Sequence, residues 1–151
     1  MTHSASWTTR IVIACGCALV SSAAFADQAK IDYRKSVMEA IGGHTSALAA
    51  IIRGNVPYTE DASVHAKAIA PLAKLSTHIF PEDSKTGKTE ALAAIWEKPD
   101  AFKKAMDSFQ EAADKLALAA DDEPKVLAAA LGGLGKTCKG CHDDFREKDK
   151  D

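Results

Sequence analysis

Several things are scarce in this chain of 151 residues, and each scarcity removes a class of answer. Aromatic residues make up 6% of a sequence that is 46% hydrophobic, so a core has to come mainly from Ala, Leu and Ile, which favours helices. Alternating β-branched runs, internal repeats and low-complexity tracts are missing, leaving no sheet, solenoid or tail to place. A formal charge of −2 is neither the basic footprint of a nucleic-acid binder nor a polyacidic tail. The strongly apolar run covers only residues 11–20, well short of the roughly 20 residues a membrane-spanning helix needs.

That run follows Arg10 and precedes SSAAFA, whose Ala24 and Ala26 form an A-x-A cleavage signal. It reads as a secretory signal peptide over residues 1–26, cleaved after Ala26, with 27–151 as one exported, periplasmic domain that keeps no membrane anchor. VIAC at residues 12–15 is not a lipoprotein box, because only Ile11 separates it from Arg10. Thr9 before Arg10 rules out a twin arginine, so export is of the unfolded chain and any cofactor is inserted after crossing. Loss of the leader removes Arg10, Cys15 and Cys17, leaving Cys138 and Cys141 as the cysteines of the mature chain. A disulfide is the ordinary expectation for two exported cysteines, but thiols one helical turn apart would close a loop too short to stabilise much.

The mature chain reads as helices almost throughout. Asp27–Arg53 carries Ile31, Met38, Ile41, Leu48 and Ile52 at helical spacing, with Gly54 and Pro57 as the stop. A second helix starts near Thr59, a plausible N-cap, and carries Val64, Ala68, Ile69, Leu72, Leu75 and Ile79; Pro71 inside it predicts a kink or local break. FPEDSKTGKT is a loop, followed by a short helical turn in EALAAIW; the connection is long for a bundle, which suggests that it covers something. A third helix opens at Pro99 with Phe102, Met106, Phe109, Ala113 and Leu116, and a fourth at Pro124 with Val126, Leu127, Leu131, Leu134, Cys138, Cys141 and Phe145. Four amphipathic helices with mostly short joints imply an all-α, antiparallel four-helix bundle.

Most residues on those stripes are core, so the chemistry is sought where the stripes are violated. At about 100° per residue, Cys141 and His142 fall within about 60° on either side of Cys138, so the three project from one arc of the last helix. C-x-x-C-H is the attachment sequence for c-type haem: the thiols add across the vinyl groups as thioethers and the imidazole coordinates iron. A redox dithiol would want a strand–turn–helix setting, and a structural zinc site a second ligand cluster; neither is present.

Candidates for the sixth iron ligand are Met38, Met106, His44, His65 and His78. Met38 lies within the apolar face of the first helix and His44 on its margin; Met106 reads as pliable core, and His65 and His78 as surface or boundary residues. Arg34 falls inside the apolar sector of Met38. A guanidinium there needs an anion, such as a haem propionate, unless it snorkels to water at the open end of the bundle.

The stretches YRKSVM, IWEKPDAFKKAMDSF and CKGCHDDFR resemble class II c-type cytochromes across the whole mature chain, most nearly the low-spin cytochrome c-556 members of the cytochrome c-prime superfamily. The resemblance implies a four-helix bundle with haem near the C-terminus. In that family the residue five after the first-helix Tyr faces the open side of the haem: apolar in high-spin c-prime members, methionine in c-556. Here it is Met38, five after Tyr33; Arg34 matches the Arg beside the propionates and Arg146 a basic residue four after the haem histidine. Pro71 and the Gly42-Gly43 pair depart from a regular bundle.

The expectation is therefore a periplasmic electron-transfer protein and not an enzyme, with one haem c attached through Cys138 and Cys141 and iron held by His142 and Met38. The alternative is a five-coordinate, cytochrome c-prime-like protein binding NO or CO; a peroxidase-like enzyme using His44 is a weaker third. The implied partners are redox proteins, and a homodimer through an outer face of the first two helices is compatible with such bundles. The acidic balance suggests a basic patch on a partner.

Overall fold

The computed structural model of the protein describes residues 20–148, with side chains from residue 28 onward. Most of the expected leader therefore lies outside the described residues, as does its cleavage chemistry. The first helix, α1, spans Val20–Ile52, beginning earlier than the expected Asp27 and passing the expected cleavage point without a break. It ends where Gly54 (φ +70°) lets the chain reverse: Gly54 N donates to Ile51 O at 2.9 Å and Asn55 N to Ala50 O at 2.9 Å, the paired bonds of a Schellman stop.

After a single 3-10 turn at Thr59–Asp61, α2 runs over Ala62–Leu75. Thr59 caps nothing with its side chain; it opens the 3-10 turn instead. Of the kink or local break expected at Pro71, the break does not occur, and α2 continues for another turn. Pro71 and Lys67, one turn earlier, are both exposed, so the carbonyl that loses its donor faces solvent rather than the core. A single α-helical turn, α3 (Ala94–Glu97), follows the long connection. Two long helices, α4 (Pro99–Leu118) and α5 (Pro124–Phe145), complete the chain, each with proline in its first turn as expected.

The result is an all-α four-helix bundle. Packing runs α1 on α2, α2 on α4 and α4 on α5. Leu48, Ile69, Leu116 and Leu134, one from each long helix, are fully buried, and each burial contributes about 1.5–3 kcal/mol. Ala66, Ala73 and Ala113 are also fully buried and let helices pack closely where larger side chains would hold them apart. Val64 and Val126, which belong to the expected apolar stripes, are exposed instead. The remaining pairing, α1 against α5, is sparse. That opening places the site.

Candidate functional site

Between α1 and α5 lies a cavity of about 510 Å³, within the range of roughly 300–1,000 Å³ that small-molecule and cofactor sites occupy. Arg34 and Met38 from α1, Cys138, Cys141 and His142 from α5, and Arg146 just past its end all line it. The two thiols are unbridged and half-buried, and His142 is exposed on the same arc. Burial pushes both thiols above their ordinary pKa. For Cys141, the neighbouring Cys138 and the Asp144 carboxylate further oppose ionisation, and it is pushed up to about 11. In the chain before haem attachment both therefore stay protonated near neutral pH, which slows thiolate-driven oxidation.

The wall facing them is α1. Met38 is half-buried and packs against the core; Ile41 and Gly42 continue the lining one turn on. A Cβ built on Gly42 meets nothing within 4 Å, so the glycine leaves its part of the cavity unfilled. Met106, expected as core, is buried at the back and also lines the cavity. His44 and His65 lie outside the lining, and His78 is exposed beside a separate shallow cleft.

Arg34 does not snorkel: it is 3% exposed. Its Nη1 donates to Ser84 Oγ (2.6 Å) and Ile79 O (3.3 Å), and its Nη2 to Ser84 O (3.1 Å) and Thr89 Oγ1 (2.9 Å). Its guanidinium carbon also lies 4.9 Å from the centroid of Phe80. These partners are neutral, and burial holds the guanidinium below its ordinary pKa. A buried cation satisfied only by dipoles keeps its appetite for an anion at the cavity edge.

The long connection supplies most of those partners, so it does cover something: residues 79–89 wrap Arg34. Its far end is tied to the end of α5. Leu92 N donates to Phe145 O (3.0 Å), Glu147 N to Glu90 O (2.7 Å), and Arg146 pairs with Glu90 through Nε (2.9 Å) and Nη2 (2.8 Å). Phe80, Phe102 and Phe145 form an edge-to-face row with centroids 4.9 and 5.2 Å apart, lining one side of the cavity. Ser84, Thr89 and Phe80 are site residues that sequence reasoning missed; the unusual length of their loop was the available signal.

Two unbridged thiols and an imidazole on one arc, a large cavity walled by aromatic and aliphatic groups, and cations at its rim fit a haem and its two carboxylates. The fold and site together define a c-type haem protein. The comparisons narrow this further. The family model described as Cytochrome C' matches residues 29–146. The cytochrome c' of Pararhodospirillum photometricum is 42% identical over 122 residues, covering 80% of this chain and 98% of that protein. Among solved structures, cytochrome c' from Rubrivivax gelatinosus superposes with a TM-score of 0.74 at 36% identity, covering 78% of this chain and 94% of the other. The nitric oxide complex of a variant of cytochrome c prime from Alcaligenes xylosoxidans gives 0.74 at 28% identity, covering 81% and 97%. The chain belongs to the cytochrome c' family and, with it, carries one covalent c-type haem and its iron. The narrower likeness to cytochrome c-556 drawn from Met38 finds no support in these matches.

Proposed function

We propose that this chain is an exported haem protein with five-coordinate iron, held by His142 and left open toward α1 for a diatomic gas such as nitric oxide or carbon monoxide. The observation that carries this reading is the α1 wall opposite His142, built from Met38, Ile41 and the side-chain-free Gly42. Met38, Ile41 and Gly42 give a small ligand an apolar stretch of this wall, with the charged groups of α1 that also line the cavity, Arg34, Lys35 and Glu39, beside it. Similarity to a protein solved with nitric oxide bound supports the same conclusion.

In this reading Cys138 and Cys141 tether the ring, His142 is the protein ligand, Arg34 stands toward the carboxylate edge, and Arg146, paired with Glu90, fixes the end of α5 against the loop beside the cavity. Once bound, the haem supplies an iron that takes up a gas or passes one electron. The chain's own groups do the rest: the phenylalanine row excludes water, the 79–92 loop fixes Arg34, and Met38 stands as a movable screen. His44, which a peroxidase-like reading needs in the cavity, is outside it and bound to His65. That placement supports a binding role over turnover.

One observation favours a second reading. Met38 lines the same cavity as His142, so its thioether could close the sixth position and make the protein a low-spin electron carrier. Titration of the reduced protein with carbon monoxide separates the two. Saturation at low micromolar gas with no slow phase supports the open site; binding limited by a slow, concentration-independent step means that Met38 must first leave. Membership of the cytochrome c' family supports a periplasmic location, with the leader signal at Ala24 and Ala26 as the proposed point of cleavage, and among the described residues no helix is long and apolar enough to cross a membrane. N-terminal sequencing of the exported protein should begin at Asp27. Redox proteins remain the proposed partners, and a homodimer through α1 and α2 is proposed on the same footing.

A further inference from the structure

Sequence periodicity puts His44 on the margin of an apolar face and His65 at the surface or boundary. The structure brings them together across the α1–α2 seam, with Nδ1 atoms 3.0 Å apart, ring centroids 5.2 Å apart and ring planes inclined by 57°. Both are half-buried and neither lines the haem cavity. At this distance the two Nδ1 atoms are within hydrogen-bond reach, which joins the rings across the seam.

With both rings turned so that their Nδ1 lone pairs converge, the same separation suits a metal ion. Imidazole nitrogen binds zinc at about 2.0–2.1 Å, and two such bonds spanning this gap enclose about 90–95°, the angle between adjacent ligands in square-planar or octahedral coordination. Opening to a tetrahedral angle needs only about 0.3 Å more, within reach of small side-chain rotations. An apolar pair would pack this seam as well, which leaves the two imidazoles unexplained by packing. Among the described residues no third histidine, cysteine or carboxylate completes a cluster, so water fills the other positions.

We propose that His44 and His65 form a two-histidine site for a divalent late first-row transition ion, bridging α1 and α2 and separate from the haem iron. Copper(II) should bind more tightly than zinc(II), as the order of divalent affinities requires. The site stands on its own geometry and does not depend on the gas-binding reading.

Titration calorimetry of the tag-free, haem-loaded protein with zinc(II) tests it. One ion should bind per chain, more weakly by at least about tenfold in His44→Gln and in His65→Gln, with His78→Gln unchanged. An unaltered haem spectrum shows that each variant has folded. Independently of any variant, zinc should protect His44 and His65 of the wild type from diethyl pyrocarbonate, read by peptide mapping. No saturable binding, binding that survives both substitutions, or unprotected His44 and His65 in the zinc-loaded protein overturns the assignment.

Discussion

Replacing Arg34 with methionine keeps much of the stem but removes the guanidinium that organises the 79–89 loop. Two backbone carbonyls, Ile79 O and Ser84 O, lose their bonds from Arg34. A buried polar group left unpaired costs about 1–3 kcal/mol. Ser84 Oγ keeps its bond to Pro81 O (2.8 Å), and Thr89 Oγ1 its bond from Ala91 N (3.1 Å), so neither hydroxyl is orphaned. Loss of the cation from the Phe80 face adds about 0.5–2 kcal/mol, offset by no longer burying a charge. The net expectation is a destabilisation of about 3 kcal/mol. With a urea slope near 2 kcal/mol per molar, the unfolding midpoint of the haem-loaded protein should fall by about 1.5 M. Circular dichroism and haem absorbance followed through the same titration measure it, and hydrogen exchange should show lost protection in residues 79–92. A midpoint within about 0.3 M of wild type, with the loop still protected, would refute the view that Arg34 holds this loop.

Leu134→Ala should cost about 2–5 kcal/mol by thermal or urea unfolding, because the side chain is fully buried where the helices meet. Gly87→Ala should destabilise by about 1–3 kcal/mol, since its φ of +134° suits only glycine and a Cβ there would sit 2.8 Å from Ile31 Cδ1. In haem-free protein, Cys141 should alkylate slowly at pH 8, where a pKa of about 11 leaves on the order of one thiol in a thousand ionised. Its rate should climb steadily toward pH 11 and level there, whereas a plateau near pH 9 would mean an ordinary exposed thiol. Met38→Ala should speed carbon monoxide association by about tenfold, a barrier change of about 1.4 kcal/mol, with haem attachment unchanged in mass analysis.

The bundle was legible because its helices announce themselves: proline opens α4 and α5, Gly54 closes α1, and leucine or isoleucine recurs at helical spacing between. That Cys138, Cys141 and His142 face one way was legible for a similar reason, since they lie within five residues on one helix and local geometry fixes their common direction. Contacts spanning the fold were harder to foresee. Arg34 was rightly seen as out of place among apolar neighbours, yet its partners lie about 45–55 residues away in an irregular loop whose path no periodicity encodes. Nothing local joins His44 to His65, and only the register between α1 and α2 makes them a pair. Pro71 shows the opposite limit: a local rule predicted a break that an exposed position in α2 made unnecessary. Met38 marks where sequence stops helping, because the same residue at the same position can either bind iron or stand beside it.

Electron paramagnetic resonance of the oxidised, purified protein tests the central claim most directly. Five-coordinate iron with His142 as its protein ligand predicts a high-spin, axial ferric signal that Met38→Ala leaves high-spin. A low-spin rhombic signal in the wild type that turns high-spin in Met38→Ala would contradict it, and would return the sixth position to the methionine.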